Sequence, residues 1–326
     1  MDAKRAIAEL ERKVGELNEL GQREGLALSE EIGCLQARLR DLRRSLLPAQ
    51  ATPEWETVKL ARQPQRPYPL DYLSRIMEDI YELHGDRLYG DDQAVVAGLG
   101  RFAGQTVVFV GTQRGRSLEE NKRRNFGMPH PEGYRKALRV MQLAARFGFP
   151  IFSLIDTPGA YPGIGAEERN IGGALAESIY RMFQLPVPII VAIIGEGGSG
   201  GALGLAVGDR ILMLEHAVYS VITPEGCAGI IWRDRTKAPE AAKALKLTAP
   251  HLLELGVIDQ IIPEPPGGAH HDPDAAARAL KEALDRQLQE LLKLDQAELL
   301  ARRGEKFQRM GCYEELTIAV GQSKEG

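Results

Sequence analysis

Apolar residues near the start of the chain recur every three or four positions, the spacing of amphipathic helices. One stripe runs from Ile7 to Leu17 and a second from Leu28 to Leu46, and two glycines within residues 21–25 separate them. We predict a helical hairpin over residues 1–48. Neither helix is long enough for a self-sufficient coiled coil, so the stripes must cover either the rest of the chain or a partner chain.

A proline-rich connector follows at residues 49–69, and beyond it the apolar spacing switches between strand-like and helix-like periods. We predict a helix over residues 71–83 with Asp71 as its N-cap. The runs AVVAGLG and TVVFVGT, at residues 94–100 and 106–112, predict two strands of a hairpin that is joined through residues 102–105.

The following elements alternate between short apolar strands and amphipathic helices. Strands are predicted at residues 150–156, 188–194, 210–214 and 218–222, and helices at residues 133–147, 167–183 and 202–207. This order indicates an α/β domain with a largely parallel sheet over residues 70–265. A loop at residues 263–273 precedes a final amphipathic helix, residues 274–294, within a C-terminal helical segment at residues 273–303.

Composition and charge exclude several classes of protein. Hydrophobic residues make up 44% and charged residues 26% of the 326 residues, which excludes a disordered chain. The formal net charge of −4 gives no overall attraction to nucleic acid or to an anionic membrane. The longest apolar run, residues 185–195, is shorter than the ~20 residues that span a bilayer. Three cysteines without close spacing favour a reducing compartment, the cytoplasm, and argue against a zinc site.

Glycine is in excess: 35 of the 326 residues are glycine, about 11%, whereas average usage is about 7%. Two glycine-rich loops follow predicted strands. The second loop, GEGGSGGALG at residues 195–204, matches two known patterns. Gly195, Gly197 and Gly200 fit the dinucleotide-binding G-x-G-x-x-G, and Glu215 follows at the expected distance. That fingerprint normally opens a domain at its first strand, whereas several elements precede it here.

The same loop also fits the nucleophile elbow G-x-S-x-G at Gly197, Ser199 and Gly201. A serine hydrolase needs an acid and a histidine farther along the chain, and His270 and His271 follow several aspartates. Those histidines lie in GGAHHDPD, a composition that is typical of a solvated loop.

A third interpretation uses only the backbone of this loop. Small residues from Gly198 to Ala202 at a helix start leave N–H groups unobstructed, and such groups suit an oxyanion or an enolate oxygen. The same glycines would also permit close packing of a helix on a strand. The residues alone leave the nucleotide, hydrolase, backbone and packing interpretations open.

The first loop, DTPGAYPGIGAEE at residues 156–168, begins like the D-x-x-G switch of a GTPase, but the sequence contains no G-x-x-x-x-G-K-[ST] phosphate loop. Tyr161 follows the carboxyl end of a predicted strand, where open α/β sheets place ligands. It is either a pocket wall or ordinary loop packing. Cys227 has no histidine near it in the sequence and is predicted to be a small buried thiol.

Residues 114–124 are locally basic in an acidic protein. Phosphate groups of a coenzyme or the acidic face of a partner would suit this cluster, and a solvated face paired with Glu119 and Glu120 is the alternative. The cluster consists of Arg114, Arg116, Lys122, Arg123 and Arg124.

Six motifs in order give the sequence a specific resemblance to a known family. They are RQPQRPYPLDY, RRNFGMPHPEGYRKALR, IDTPGAYPG, GEGGSGGALG, VITPEGCAGIIW and IIPEPPGGAH. From about Arg62 to Ala269 the sequence resembles the carboxyltransferase α subunits of bacterial-type acetyl-CoA carboxylase. The resemblance implies a crotonase-like fold, a spiral of ββα units, preceded by an N-terminal helical hairpin.

This resemblance implies transfer of a carboxyl group from carboxybiotin to acetyl-CoA to give malonyl-CoA, the first committed step of fatty acid synthesis. A separate carrier protein would present the carboxybiotin, so no covalently bound cofactor and no metal is expected on this chain. The implied partners are a β subunit that carries zinc, in an α2β2 assembly, the biotin carboxyl carrier protein and the ATP-consuming biotin carboxylase.

The resemblance also implies the residues of the site. The N–H groups of Gly200 and Gly201 would form an oxyanion hole for the biotin-side anion, and the β subunit would supply the matching hole for the thioester. The residues implied to shape the pocket are Gly159, Ala160, Tyr161, Pro162, Gly163, Gly197, Gly198 and Ala202. The competing functions are a crotonase-fold acyl-CoA hydrolase or isomerase that acts alone and an assembly subunit whose partner holds the chemistry.

Overall fold

The computed structural model describes residues 12–16, 32, 35–36 and 52–311. Most of the predicted hairpin over residues 1–48 lies outside these residues. Cys34 and Cys312 also lie outside them. The chain divides into two compact units, one of Met1–Glu56 with Pro224–Ala244 and the other of Thr57–Thr223 with Leu245–Gly326. The second unit contains the sheet and the two glycine-rich loops.

The strands of this unit form one mixed sheet. They are β1 (Glu78–Glu82), β2 (Val95–Phe102), β3 (Gln105–Thr112), β4 (Ile151–Thr157), β5 (Ile189–Gly198), β6 (Arg210–Leu214), β7 (Val218–Ser220) and β8 (Gln260–Ile262). Their order is β1-β2-β3-β4-β5-β6-β8, and β7 pairs with β5. The first three strands are antiparallel and every later pairing is parallel, which confirms the predicted largely parallel sheet.

Helices precede, separate and follow the strands along the chain. They are α1 (Pro53–Ala61), α2 (Pro69–Ile76), α3 (Leu118–Arg123), α4 (Pro131–Phe147), α5 (Ile164–Glu168), α6 (Ile171–Met182), α7 (Ser199–Leu203), α8 (Pro224–Ile231), α9 (Ala238–Leu245), α10 (Ala249–Glu254), α11 (Pro273–Leu291) and α12 (Gln296–Gln308). None of the helices in the described ranges is long and apolar enough to cross a membrane.

The core of the second unit lies around β4 and β5, in which every residue is buried. Helix α4 packs against β2, β3 and α6. Its buried face carries Tyr134, Ala137, Met141 and Ala144, spaced three or four residues apart.

The predicted β2–β3 hairpin is confirmed. Phe102 pairs with Gln105, and the two residues between them, Ala103 and Gly104, have φ angles of +48° and +82°. Two consecutive left-handed residues make the tight turn whose twist matches that of the flanking strands.

The predicted helix over residues 71–83 is wrong at both ends. The observed helix, α2, begins at Pro69, in keeping with the preference for proline in the first turn. Asp71 lies inside this helix, where its carboxylate accepts the Tyr68 N–H at 2.8 Å. It ends at Ile76, and the following residues form β1, in which Tyr81 pairs with Leu99. Asp79 has a φ of +50°, which a helix does not accommodate. Pairing with the edge of β2 therefore overrides the helical period.

The fifth strand is longer than predicted. It continues through the glycines to Gly198, because Glu196 and Gly198 pair with Val218 and Ser220 of β7. Helix α7 accordingly begins at Ser199 rather than at Ala202.

At the C-terminal end, the predicted helix over residues 274–294 ends at Leu291, and a separate helix, α12, follows it. Asp272 caps α11 by accepting the Ala275 N–H at 2.8 Å.

Candidate functional site

The two glycine-rich loops meet at the carboxyl edge of the sheet. β4 and β5 are neighbouring parallel strands, and after an irregularity at Asp156 the pairing resumes between Thr157 and Gly197. Thr157 also fixes the first loop, since its Oγ1 donates to Gly159 O at 2.9 Å and accepts from Gly159 N at 3.0 Å. The structure thus brings the starts of both loops together, with Gly159 held by Thr157 and Gly197 paired to the same residue.

Close packing of the loops explains two of the glycines. A Cβ atom at Gly201 would overlap the backbone of Gly159 and Ala160, and one at Gly198 would overlap the carbonyl of Pro158. Gly200 differs, because the nearest atom to a Cβ there is a Leu175 methyl at 3.9 Å. Packing therefore requires glycine at positions 198 and 201, whereas it leaves room for a side chain at position 200.

Helix α7 begins beside this packing. The first N–H groups of any helix have no acceptor within the helix. Ser199 opens α7 with a φ of +59°, a sparsely populated conformation that is often found at functional sites. The side chain of Ser199 is exposed and Gly200 is half-buried, so the start of the helix faces open space.

A mainly apolar cavity of about 420 Å³ opens at the start of α7. Ser199, Gly200 and Ser220 supply its polar edge. Its remaining lining consists of Leu203, Tyr219, Val221, Leu245, Leu252 and Val257. Sequence reasoning missed this lining, because the residues come from β7, α9, α10 and the turn after α10, which only the fold brings together. Burial raises the pKa of Tyr219 to about 12, so its hydroxyl stays neutral.

This geometry does not favour a serine hydrolase. Of the residues that line the cavity within the described chain, none is a histidine or a carboxylate that could activate Ser199. His270 instead packs on the ring of His271, with a centroid separation of 4.3 Å, and its charge interactions are with His271, Arg66 and Glu264. Burial and these cationic neighbours lower the pKa of His270.

Tyr161 contacts residues of its own loop and of the segment before α4. Its N–H donates to Pro129 O at 2.9 Å, and its ring lies 4.5 Å from that of His130. The ring also covers Gly163, where a Cβ would overlap it. Pro162 is exposed, and Ala160 and Gly163 are half-buried. A side chain at position 163 would therefore displace the Tyr161 ring.

A buried charge network lies behind the glycine strand. Glu196 accepts from Arg62 Nε at 2.8 Å and from Arg114 Nη2 at 2.7 Å, and its N–H donates to Asp156 at 3.0 Å. Burial raises the pKa of Asp156, and the positive charge of Arg114 opposes that effect. Arg114 is thus committed to joining the bases of the two loops.

The predicted basic cluster is divided in the structure. Arg116 stacks on the Tyr68 ring at 4.0 Å and pairs with Asp71, and Arg124 donates to Glu120 at 3.0 Å. Lys122 and Arg123 are exposed and form no salt bridge with any described residue. A ligand or partner that approached this surface would therefore meet Lys122 and Arg123 first.

A second buried ion pair was missed by the sequence analysis. Arg66, which is 1% exposed, pairs with both oxygens of Glu264 at 2.7 and 2.8 Å and donates to Ile194 O at 2.9 Å. Burial by itself would raise the pKa of Glu264, but the hydrogen bonds from Arg66 outweigh it, and the pKa is lowered. The pair fastens β5 to the loop after β8. Its sequence signals were the motifs RQPQRPYPLDY and IIPEPPGGAH, which contain Arg66 and Glu264.

The metal-ligating residue types are scattered. In the ranges that the structure describes, no group of three or more histidine, cysteine, aspartate or glutamate side chains is arranged to hold a metal ion. Cys227 is a buried free thiol, as predicted.

Comparison with known sequences gives a full-length match. A family model described as acetyl co-enzyme A carboxylase carboxyltransferase-like matches residues 1–311. A Bordetella avium protein named acetyl-coenzyme A carboxylase carboxyl transferase subunit alpha is 51% identical over 316 residues, which cover 97% of this chain and 98% of the relative. A Thermus thermophilus protein of the same name is 52% identical over 315 residues, which cover 97% of this chain and 99% of the relative.

Solved structures share the fold at low sequence identity. Transcarboxylase 12S matches with a TM-score of 0.55 and 21% identity over 73% of this chain and 45% of that chain. A Pseudomonas malonate decarboxylase hetero-tetramer in complex with coenzyme A matches with a TM-score of 0.56 and 16% identity over 66% of this chain and 86% of that chain. These matches confirm the predicted crotonase-like α/β fold. The chain belongs to the acetyl-coenzyme A carboxylase carboxyltransferase family, whose members are transferases of carboxyl groups.

Proposed function

We propose that Gly200 and Gly201 supply the backbone donors for transfer of a carboxyl group from carboxybiotin to acetyl-CoA, which gives malonyl-CoA. The observation that carries this proposal is the free amino end of α7 at the mouth of the apolar cavity. The family membership gives the reaction class, and the geometry suggests which atoms of this chain take part.

The chemistry requires stabilisation of negative charge. Loss of the carboxyl group as CO2 leaves an anionic ureido oxygen on biotin, and removal of a methyl proton turns the acetyl thioester into an enolate. The enolate carbon then bonds to the CO2, which gives the malonyl thioester. Each fixed N–H donor aimed at such an oxygen contributes about 3 kcal/mol, provided that it is in place before the charge develops. The freed biotin nitrogen can accept the methyl proton, so the reaction needs no side-chain base beside Ser199.

The cavity next to α7 fits a ring of the size of biotin. Its walls are aliphatic and aromatic, and its polar edge is the amino end of α7, so the apolar part of a ring system would be covered while its oxygen met the N–H groups. Gly159 and Ala160 pack on Gly201, the residue that follows Gly200 of this lining. We assign the residues of the first loop, from Gly159 to Gly163, to the wall facing this site.

A partner subunit would complete the active site. The relatives carry the name subunit alpha, and the malonate decarboxylase of similar fold is a hetero-tetramer. We infer that a β subunit provides the hole for the thioester oxygen and the zinc, in an α2β2 assembly. The biotin carboxyl carrier protein would deliver carboxybiotin, and biotin carboxylase would recharge it at the expense of ATP. Lys122 and Arg123 are exposed cations of the 114–124 region that form no salt bridge with any described residue, and they could meet coenzyme A phosphates or a partner.

Removal of a single N–H group tests the backbone donors. Gly200 has helical backbone and no positive φ, so proline fits there and deletes the donor, while alanine fits and keeps it. Both variants are made with Ser199→Gly, because residue 199 has a φ of +59° and proline restricts the residue before it. The assay is biotin-dependent decarboxylation of malonyl-CoA by the complex of both subunits.

We expect Gly200→Pro to lower kcat about 100-fold relative to Gly200→Ala, which is the effect of losing one oxyanion-hole donor. Thermal unfolding of both variants controls for stability. Equal kcat values for the two variants would show that the Gly200 N–H takes no part. In the single variant Ser199→Ala, a carboxyltransferase keeps most of its activity, whereas a serine hydrolase loses it.

A further inference from the structure

Three buried hydroxyl groups hold the carbonyl end of the α7 segment. Tyr134 Oη donates to Gly201 O at 2.9 Å, Ser178 Oγ to Gly204 O at 2.5 Å and Ser153 Oγ to Leu205 O at 2.6 Å. The three side chains are fully buried, and they come from α4, α6 and β4. Of the three, only the Tyr134 hydroxyl reaches a residue of α7 itself, since Gly204 and Leu205 follow its last residue, Leu203.

Helix α7 needs such anchors because its own sequence does not define it. It has five residues, and an isolated helix of that length is unstable in water. Two of the five, Gly200 and Gly201, have no side chain to restrict φ and ψ. A donor array that stabilises a transition state must be fixed beforehand, so something outside α7 has to fix it.

Of the three hydroxyls, that of Tyr134 acts closest to the donors. A hydrogen bond that fixes Gly201 O fixes the planar peptide unit that follows Gly201, and with it the ψ angle of this glycine. The N–H of Gly201 itself is one of the two proposed donors, so its direction depends on how this residue is held.

We propose that Tyr134 is a positioning residue for carboxyl transfer: its hydroxyl orients the backbone donors of α7 through the Gly201 carbonyl. The inference rests on the proposed function of Gly200 and Gly201. Tyr134 suits this role because it lies on α4, a 17-residue helix packed on the sheet. Side chains on rigid elements hold a site more accurately than side chains on loops.

Two further features favour the hydroxyl over the ring as the functional group. Burial raises the pKa of Tyr134, so the hydroxyl keeps its proton and remains a donor throughout the working pH range. The ring itself lies against Gly204, where a Cβ would come within 2.9 Å of Tyr134 Cε1. Phenylalanine at position 134 would keep this ring contact and remove only the hydrogen bond.

The test compares Tyr134→Phe with Ser153→Ala in the full chain assembled with its partner subunit. Ser153→Ala also removes one buried hydroxyl that donates to a backbone carbonyl, but the carbonyl is that of Leu205, beyond the end of α7. The two variants therefore lose comparable stability, measured by thermal unfolding. The kinetic readout is kcat and KM for malonyl-CoA in biotin-dependent decarboxylation, well below both melting temperatures.

We expect Tyr134→Phe to lower kcat about 10- to 100-fold, the range that small misplacement of catalytic groups produces. The KM for malonyl-CoA should stay within about twofold, because a donor that acts in the transition state leaves ground-state binding unchanged. Ser153→Ala should keep kcat within about twofold of the wild-type value.

Two results would overturn the inference. The first is a kcat for Tyr134→Phe within about twofold of the wild-type value, and the second is an equal loss of kcat in both variants, which indicates general destabilisation. The Gly200→Pro and Gly200→Ala pair separates this failure from that of the proposed function. If the Gly200 pair differs as expected while Tyr134→Phe is fully active, only the role of Tyr134 is wrong. If the Gly200 pair does not differ, both assignments fall.

Discussion

Replacement of Arg303 by methionine should destabilise the fold without affecting catalysis. Arg303 lies on α12 and is fully buried. Its guanidinium pairs with both oxygens of Asp209, at 2.9 and 2.7 Å. Its remaining N–H groups donate to the carbonyls of Met182, Leu185 and Val187 at 2.7 to 2.9 Å. All five guanidinium donors are thus used.

The magnitude follows from what the substitution leaves behind. Methionine has a similar length but no donors, so Asp209 becomes a buried charge without its cation. Breaking a buried ion pair by removing one partner costs about 3–5 kcal/mol. Asp209 still accepts the Ile189 N–H at 2.7 Å, which moderates the loss. We expect the free energy of unfolding to fall by about 4 kcal/mol.

Urea denaturation of the chain measures this change in the free energy of unfolding. The single variants Arg303→Met and Asp209→Asn, together with the variant that carries both changes, form a double-mutant cycle. The double variant should regain at least about 1 kcal/mol relative to the sum of the single losses, since it removes the unpaired charge. Arg303 binds the segment before β5 and the start of β6, whereas the glycine-rich loops lie at the carboxyl ends of β4 and β5. The kcat of the folded enzyme should therefore be unchanged. A loss below about 1 kcal/mol would refute the reasoning.

Two further substitutions test other parts of the structure. Asp86 accepts hydrogen bonds from three backbone N–H groups and pairs with Arg135. Burial by itself would raise the pKa of Asp86, but these bonds outweigh it and lower the pKa to about 2. Asp86 therefore contributes up to about 2 kcal/mol to the free energy of unfolding above pH ~4, and this contribution is lost as the pH falls toward 2. Asp86→Asn should abolish this part of the pH dependence of the melting temperature. Gly201→Val should abolish carboxyl transfer and also lower the melting temperature, because its side chain would displace the backbone at Ala160. An active or fully stable Gly201→Val protein would contradict the observed packing of the loops.

The sequence predicts elements well where local signals agree. The β2–β3 hairpin follows from two β-rich runs around Ala103 and Gly104, whose conformation the turn requires. Prediction fails where pairing partners decide. The residues after Ile76 continue a helical period but pair with β2, and the glycines up to Gly198 suggest a loop but pair with β7. No local pattern contains those distant partners.

In the candidate site, too, some features follow from the local sequence and others only from the fold. Its glycines are visible in the sequence because they form a pattern at a strand-to-helix junction. Their separate requirements are not visible, since only the fold shows that Gly201 packs on the first loop while Gly200 has open space. Tyr134 and Tyr219 were missed for a related reason. Each looks like an ordinary core position, and their relation to α7 arises from tertiary packing.

The most direct test of the account is biotin-dependent decarboxylation of malonyl-CoA, measured with the purified chain alone and after assembly with a β-type partner subunit. We expect the chain alone to be inactive, because it supplies only one of the two oxyanion holes, and the assembled complex to be active. Substantial activity of the chain alone, or an inactive complex, would contradict the proposal that this protein forms half of a carboxyltransferase site.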